Sequence, residues 1–111
     1  MKCDIIWSQD AGDELAEIIS YIKYHTGKIT AEKIYSKIMN EVKRASENAT
    51  GRRIAPLLRE FGMNYIHQLN INPWILFYKV EETKMKIISI IDGRRNLEEI
   101  LYKKIMDGKI I

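Results

Sequence analysis

The most strongly patterned stretch of the chain runs from Lys86 to Ile105 and predicts a strand, a turn and a helix. Apolar, mostly β-branched residues occupy both alternating faces from Ile87 to Ile91, which is typical of a central strand buried on both sides. Asp92-Gly93 then marks a turn, and Asn96 can cap a helix by accepting from free backbone N–H groups. The apolar residues of that helix recur at helical spacing, at Leu97, Ile100, Leu101 and Ile105.

The first half of the chain predicts a short strand followed by two amphipathic helices. Met1–Trp7 forms the strand, and Ser8 is a suitable N-cap for the first helix. Gly27 ends that helix, because glycine adopts positive φ without strain, and Thr30 can cap the second helix. The apolar stripes are Leu15, Ile18, Ile19 and Ile22 on the first helix, and Ala31, Ile34, Tyr35, Ile38, Val42, Ala45 and Ala49 on the second. Two such helices joined by a few residues predict an antiparallel hairpin.

The second half of the chain predicts a hairpin-rich sheet. Residues 51–62 hold three arginines and Pro56, and they predict a loop with a short strand away from the centre of the sheet. Further strands are predicted over Tyr65–Ile71, Trp74–Glu81 and Lys84–Asp92. The element order is therefore β-α-α-β-β-β-α. It predicts a two-layer α+β fold with the helical hairpin packed on a mainly antiparallel sheet and a short C-terminal helix.

Length and composition indicate one soluble domain over residues 1–111. No apolar run is long enough to span a bilayer, and no signal peptide is visible. Cys3 is the only cysteine, which predicts a reducing, cytoplasmic location, and neither a metal-ligand cluster nor a cofactor motif stands out. Residues 1–50 carry 7 basic and 8 acidic side chains, whereas residues 51–111 carry 11 basic and 7 acidic ones. An anionic partner is therefore expected on the C-terminal half.

Arg94 and Arg95 are the most prominent candidate binding residues. They follow the predicted central strand directly and stand beside the N-terminus of the last helix, where anions are favoured. Alternatively, both are solvated turn residues or ion-pair partners, as most surface charges are.

Cleavage of RNA is the chemistry that the remaining polar residues could support. It requires a base, an acid and a group that stabilises the charged phosphate. Arg52, Arg53 and Arg59 could bind phosphate together with the arginines of the turn, and His67 titrates near neutral pH. A lone histidine on an otherwise apolar strand is more often a structural residue, so both interpretations of His67 stay open.

Several ordered motifs resemble the RelE/ParE toxin superfamily over nearly the whole chain. The opening IIWSQDAGDELAEIISYI is similar to the family's first strand and helix. The segment GRRIAPLLREFGMNYIHQLNINPWILFYKV resembles its Gly-Arg, Pro-x-Leu, Arg-Glu-Leu and Tyr-Arg-x-x-Tyr progression. Finally, IISIIDGRRNLEEIL resembles its closing strand and Gly-Arg-Arg-Asp-Leu turn. The resemblance implies the toxin of a type II toxin–antitoxin pair, often described as a plasmid-stabilisation protein.

The details resemble the ParE type more than the RelE type. Ile75 stands where RelE-like ribonucleases place an arginine, while His67 and Gln68 replace the family's frequent Arg and Glu. Tyr102 lies one or two places beyond the family's C-terminal tyrosine. The resemblance therefore implies action on DNA gyrase, neutralisation by a cognate antitoxin encoded nearby, and a toxin–antitoxin hetero-oligomer. The target-binding candidates are Arg52, Arg53, Arg59, Arg94, Arg95 and Tyr102.

Two alternatives to the gyrase interpretation stay open. The first is a RelE-like, ribosome-dependent mRNA endoribonuclease, with Arg94, Arg95 and His67 as the catalytic candidates. The second is a non-toxic family member that acts only as a binding module. Whether the chain is an enzyme is therefore undecided from its sequence.

Overall fold

A computed structural model describes residues 2–110 of the 111-residue chain. The elements in chain order are β1 (Asp4–Trp7), α1 (Gln9–Thr26), α2 (Lys28–Ser46), a 3₁₀ turn (Ala49–Gly51), α3 (Pro56–Glu60), β2 (Ile66–Ile71), β3 (Trp74–Glu81), β4 (Lys84–Asp92) and α4 (Leu97–Met106). The predicted α+β class and the order of its main elements are confirmed. Met1, the predicted first residue of the first strand, lies outside the described residues.

The four strands form one mixed sheet in the order β1-β4-β3-β2. β3 is antiparallel to both β2 and β4, and β1 pairs with β4 in parallel. β4 is therefore central, as its apolar pattern predicts, and the side chains from Ile87 to Ile91 are all buried. The bounds of β3 and β4 are those predicted from the sequence.

The helical hairpin covers one face of the sheet. Its buried side chains, which include Leu15, Ile38 and Val42, pack in one cluster with Tyr78 and Ile90 of the sheet. This packing confirms the predicted position of the helical hairpin, whose apolar stripes at helical spacing meet one face of the sheet, but the sheet is not left with a second open face as a two-layer fold would have it. The Tyr78 hydroxyl also donates a 2.7 Å hydrogen bond to the backbone carbonyl of Ala49, which ties the end of the hairpin to β3.

The opposite face of the sheet is covered by α3, α4 and the C-terminal residues. Phe77 and Ile88 of the sheet form a second buried cluster with Leu58 of α3, Leu101 of α4 and Ile110. The central strands are thus covered on both faces. Because both faces of β4 are buried, its sequence is an almost continuous apolar run.

The junction between the two long helices differs from the prediction. Ser8 caps α1 as predicted, because its side chain accepts a 3.1 Å hydrogen bond from the backbone N–H of Ala11. Gly27 ends α1 with φ of 104°, but α2 begins at the next residue, Lys28. Thr30 therefore lies inside the first turn of α2 and is not its N-cap. The single glycine replaces a longer linker because positive φ redirects the chain at one residue.

The segment predicted as a loop with a short strand contains the helix α3 instead. Pro56 is the first residue of this helix, a position at which a missing N–H costs nothing and the fixed φ is already helical. Strand character in this segment is limited to one bridge between Ile54 and His67, next to the edge strand β2. The predicted peripheral position of this strand segment is correct, but one bridge forms there in place of a short strand.

Two further properties concern residues 2–110 as a whole. No helix in this part of the chain combines the length and apolar character that crossing a bilayer requires. The same residues contain no group of three or more His, Cys, Asp or Glu side chains placed to hold a metal ion.

Candidate interaction site at the Arg94–Arg95 turn

The end of β4 lacks a neighbouring strand on one side because β1 is short. β1 pairs with β4 only as far as Trp7, which lies opposite Ile87, and the chain then turns into α1. Glu14 of α1 takes the place of the missing strand, since its Oε1 accepts from the backbone N–H of Ile90 at 3.2 Å and from Ser89 Oγ at 2.9 Å. Buried donors are thereby satisfied, and α1 is fixed beside the end of β4.

A buried lysine from α4 completes this junction. Lys104 Nζ lies 2.5 Å from Asp10 Oδ2 and 2.8 Å from Glu14 Oε2, and Lys109 Nζ approaches Asp10 Oδ1 at 3.4 Å. We call Asp10, Glu14, Ser89, Lys104 and Lys109 the Lys104 network. It connects α1, β4 and α4 through charge-assisted hydrogen bonds.

The pKa values in the Lys104 network show that pairing outweighs burial. Burial alone would raise the pKa of Asp10, but the hydrogen bonds and charges of Lys104 and Lys109 lower it below its ordinary value. Burial alone would lower the pKa of Lys104, but its hydrogen bonds to Asp10 and Glu14 raise it. Both partners are therefore held in their charged forms.

Sequence interpretation missed the Lys104 network, although the sequence carries a signal for it. Lys104 lies four residues after Ile100 and three after Leu101, so it falls within the apolar stripe of α4. A lysine on a buried stripe needs an anionic partner. The sequence pattern does not show which acidic residue is this partner, and only the structure pairs Lys104 with Asp10 and Glu14.

The turn after β4 is held close to the start of β3. The backbone N–H of Gly93 donates a 2.8 Å hydrogen bond to the carbonyl of Pro73. A Cβ atom at Gly93 would lie 3.0 Å from the side chain of Ile75 and 3.1 Å from the carbonyl oxygen of Pro73, so glycine fits this approach best. Asn96 then caps α4 as predicted, by accepting from the backbone N–H of Glu99 at 3.2 Å.

Arg94 is engaged within the turn. Its Nε and Nη2 donate to Asp92 Oδ1 and Oδ2 at 2.9 and 2.6 Å, and its backbone N–H donates to Asp92 Oδ1 at 2.9 Å. The side-chain hydrogen bond from Arg94 is the main reason that the pKa of Asp92 falls to about 2. The alternative interpretation of an ion-paired turn residue therefore describes the geometry of Arg94 well.

Arg95 differs from its neighbour. Its backbone N–H donates to the carbonyl of Asp92 at 3.1 Å, but within residues 2–110 its exposed side chain makes no hydrogen bond or salt bridge. Both arginines line a cleft of about 550 Å³ between α1 and the end of β4. We call this the α1–β4 cleft. Its lining is Glu14, Glu17, Ile18, Tyr21, Ile22, Trp74, Ile90, Ile91, Asp92, Arg94, Arg95 and Ile100.

His67 lies elsewhere, between β3 and the loop before α3. Its side chain is 8% exposed, its Nδ1 is 3.0 Å from the carbonyl oxygen of Arg52, and its ring stacks on Tyr78 at a centroid distance of 5.0 Å. Tyr78 itself is buried, which raises its pKa to about 12. These contacts are those of a packed histidine, and its catalytic role stays a prediction.

The other candidate residues occupy two further places on the surface. Arg52 is half-buried and Arg53 exposed, and the backbone carbonyl of Arg53 accepts from Gln68 of the edge strand at 2.9 Å. Arg59 is exposed in the last turn of α3. Tyr102 of α4 is 52% exposed, and its ring lies 6.0 Å from that of Phe61.

The structure brings Arg94 and Arg95 together but keeps His67 away from them. His67 is opposite Tyr78 in the sheet, whereas Asp92, just before the arginines, is opposite Trp74. These two rows are four residue positions apart along β3, which is roughly 13 Å at about 3.3 Å per residue. The three catalytic candidates therefore do not form one compact site.

Comparison with known proteins identifies the family. The sequence model described as "ParE toxin of type II toxin-antitoxin system, parDE" matches residues 5–97, which is most of the chain. This chain belongs to the ParE toxin family. The predicted ParE-like relationship is thus confirmed. The matched range contains the Arg94–Arg95 turn and ends before Tyr102 and Lys104.

A solved structure supports the fold of this ParE family member. A chain described as "Chromosomal ParDE TA system from P. aeruginosa" is similar with a TM-score of 0.66 and 19% sequence identity. The similarity covers 81% of this chain and 95% of that chain. Among curated proteins, none matches this sequence.

Proposed function

We propose that this ParE family member is a toxin that arrests growth by acting on DNA gyrase and is neutralised by a cognate antitoxin. The family match over residues 5–97 carries the proposal. The similar chain from P. aeruginosa is described as part of a ParDE toxin–antitoxin system, which supports an antitoxin partner and a hetero-oligomeric complex here. The lone cysteine, which is buried, is consistent with action in the cytoplasm.

The position of Ile75 supports gyrase over mRNA as the target. RelE-like ribonucleases carry an arginine where this chain has Ile75, which packs against the second buried cluster and beside Gly93. His67, the only histidine among the catalytic candidates, is buried and lies four positions along β3 from the row that leads to Arg94. A base, an acid and a phosphate-binding group are needed together for RNA cleavage, and these positions do not supply them at one place.

Exposed basic and aromatic side chains supply the target contacts in this proposal. Arg94 and Arg95 are the principal ones because the central strand and the Lys104 network fix the backbone from which they project. The remaining contacts are assigned to Arg52, Arg53, Arg59 and Tyr102.

Induced expression with two separate readouts tests the target. We expect growth arrest, a change in plasmid supercoiling or accumulation of cleaved DNA, and intact mRNA. Co-expression of the neighbouring antitoxin gene restores growth. Rapid mRNA cleavage with normal supercoiling would instead favour the RelE-like ribonuclease, and unimpaired growth with folded protein would leave only the non-toxic binding module.

A double variant tests the contribution of the turn. Arg94→Ala with Arg95→Ala removes two charges but little packing, so we expect a folded protein whose toxicity is lost. The matched control is Lys43→Ala with Arg44→Ala, which removes an adjacent basic pair from the exposed end of α2. Circular dichroism melting and a growth assay on both variants give the answer. Full toxicity of the turn variant would show that these arginines are only turn residues.

A further inference from the structure

The two edges of the sheet differ in how they are covered. The outer side of β2 is covered by the loop before it, through the Ile54–His67 bridge and a 2.9 Å hydrogen bond from the backbone N–H of Gln68 to the carbonyl of Arg53. β1 forms the other edge, and in the part of the chain that the structure describes no strand lies beyond it. An uncovered edge presents N–H and C=O groups to which another strand can add. β1 is therefore the edge that is open to a further strand.

The outward backbone groups of β1 belong to Ile5 and Trp7. Asp4 and Ser8 donate their N–H groups inwards, to backbone carbonyls of the β3–β4 turn and of β4 at 2.8 and 2.9 Å. Because these groups alternate in direction along a strand, those of Ile5 and Trp7 point away from β4. Among residues 2–110, no hydrogen bond uses them. Two residues thus offer both a donor and an acceptor to a neighbouring strand.

The available edge is short and apolar. At its start, the N–H of Cys3 already donates to the carbonyl of Ser46 at 2.9 Å, so the end of α2 covers this point. The side chains of Ile5 and Ile6 are 37% and 39% exposed, and Trp7 is half-buried against the helical hairpin. β1 lacks the proline, bulge or central charge that protects many edge strands.

We propose that β1 pairs in antiparallel orientation with β1 of a second copy of this chain, with Ile6 opposite Ile6. In this register, Ile5 of each copy lies opposite Trp7 of the other, and each of these two pairs exchanges two hydrogen bonds. All outward groups of Ile5 and Trp7 are thereby satisfied. A shift by two residues would instead bring in Cys3, whose N–H is already bonded, or Gln9, which begins α1.

The side chains of β1 complement themselves in this register. Ile6 meets Ile6 at a position without hydrogen bonds, where opposite side chains lie closest, and Ile5 meets the aromatic ring of Trp7. Asp4 lies opposite Ser8 of the second copy, so no like charges face each other. The two-fold axis passes between the Ile6 residues, so the contact closes at two copies.

The paired copies form one sheet of eight strands, twice the four strands of the single chain. The two copies of β4 run in opposite directions, which places the two Arg94–Arg95 turns at opposite ends of the joined sheet. Only a four-residue strand from each copy supplies the pairing, so the contact is smaller than a standard stable interface and depends on protein concentration. This inference is independent of the proposed function.

Cysteine cross-linking of the full chain tests the register. Cys3 is buried and contributes little background. Oxidation of Ile6→Cys gives a disulfide-linked dimer, because directly opposite Cα atoms at this position lie about 4.5 Å apart, within the range of a disulfide. Ile5→Cys is the matched control, since Ile5 is almost equally exposed. Its two copies would lie about 8 Å apart, so it stays unlinked.

A charge exchange tests the same pairing without cross-linking. In sedimentation experiments on the folded chain, Ile6→Lys and Ile6→Glu each raise the Kd of the dimer roughly tenfold or more, because like charges face each other. A mixture of the two variants restores pairing. The corresponding mixture of Ile5→Lys and Ile5→Glu does not, since Ile5 faces Trp7.

The remaining outcomes overturn the inference. A wild-type chain that stays monomeric at millimolar concentration, with Ile6→Cys unlinked, would show that β1 does not pair with itself. Equal cross-linking of Ile5→Cys and Ile6→Cys would indicate random collision and no fixed register. If the free chain is monomeric and antitoxin protects Ile6→Cys from a maleimide reagent, the edge belongs to the antitoxin. Growth arrest and its neutralisation are measured separately, so the proposed function stands or fails on its own.

Discussion

Two groups of charged side chains meet at the end of β4, and they are arranged in opposite ways. In the Lys104 network, the lysine is almost completely enclosed and lies within 3 Å of carboxylate oxygens of both Asp10 and Glu14. At the Arg94–Arg95 turn, both arginines are exposed, and among residues 2–110 only Arg94 makes a salt bridge. A buried charge must be paired for the fold to tolerate it, whereas an exposed charge can stay unpaired at little cost.

This contrast distinguishes residues that stabilise the fold around the site from residues that contact a partner. Removing a charge from the Lys104 network should lower the free energy of unfolding, whereas removing Arg95 should weaken binding of the target. Glu14 belongs to both places, because it pairs with Lys104 and lines the α1–β4 cleft. Variants that distinguish the two groups are therefore more informative than a general scan of charged residues.

The largest effect is expected from Lys104→Met. It leaves Asp10 and Glu14 without their principal cation in a partly enclosed site, so the free energy of unfolding should fall by roughly 2–3 kcal/mol, somewhat less than for a fully buried pair. Urea denaturation measures the loss. Lys103→Met changes an exposed neighbour on the same helix and should unfold like the wild type. Equal stability of the two variants would contradict a structural role for the network.

A smaller loss of stability is expected at alkaline pH, from Lys104 of the network and from the buried Tyr78, which lies outside the network. The pKa of Lys104 is raised by its carboxylate partners, and burial raises that of Tyr78 to about 12. The folded state therefore keeps protons that the unfolded chain loses above about pH 10, so stability present at lower pH declines as the pH rises. We expect a loss of about 1 kcal/mol between pH 9 and 11.

Melting curves across this pH range measure the alkaline loss. Tyr78→Phe and Lys104→Met should each flatten the dependence by removing one of the two groups. A slope that neither substitution reduces would assign the effect to other residues.

The smallest effect is expected at the turn and concerns the pKa of Asp92. Because Arg94 lowers this pKa to about 2, the pair contributes stability above about pH 4 that is lost as the pH falls towards 2. Arg94→Ala should return the pKa of Asp92 towards its ordinary value, while Arg95→Ala should scarcely move it. An NMR titration of the carboxyl group decides between them. Equal shifts of the Asp92 pKa in both variants would contradict the assignment of Arg94 as its main partner.

Local patterns predicted most of the fold. The bounds of β3 and β4 and the caps at Ser8 and Asn96 followed from alternation and from side-chain chemistry near each end. The errors arose where one residue permits two structures. Pro56 disfavours a central strand, but proline also suits the first turn of a helix, and here it begins α3.

The site was less predictable because it depends on contacts between distant segments. The sequence indicates Arg94 and Arg95 as a pair, but only the structure distinguishes Arg94, which is bound to Asp92, from Arg95, which makes no salt bridge within the described residues. Likewise, Lys104 stands out on its helix, but no local rule identifies Asp10 as its partner 94 residues away. Such pairings follow from the packing of α1 against the end of β4.

The parallel pairing of β1 with β4 also determines when the α1–β4 cleft can form during synthesis. β1 pairs with a strand that lies 80 residues later in the chain, since Asp4 is opposite Lys84. Pairings between such distant segments form slowly and only after the later one has been translated. The α1–β4 cleft can therefore assemble only after β4 has been synthesised and has paired with β1.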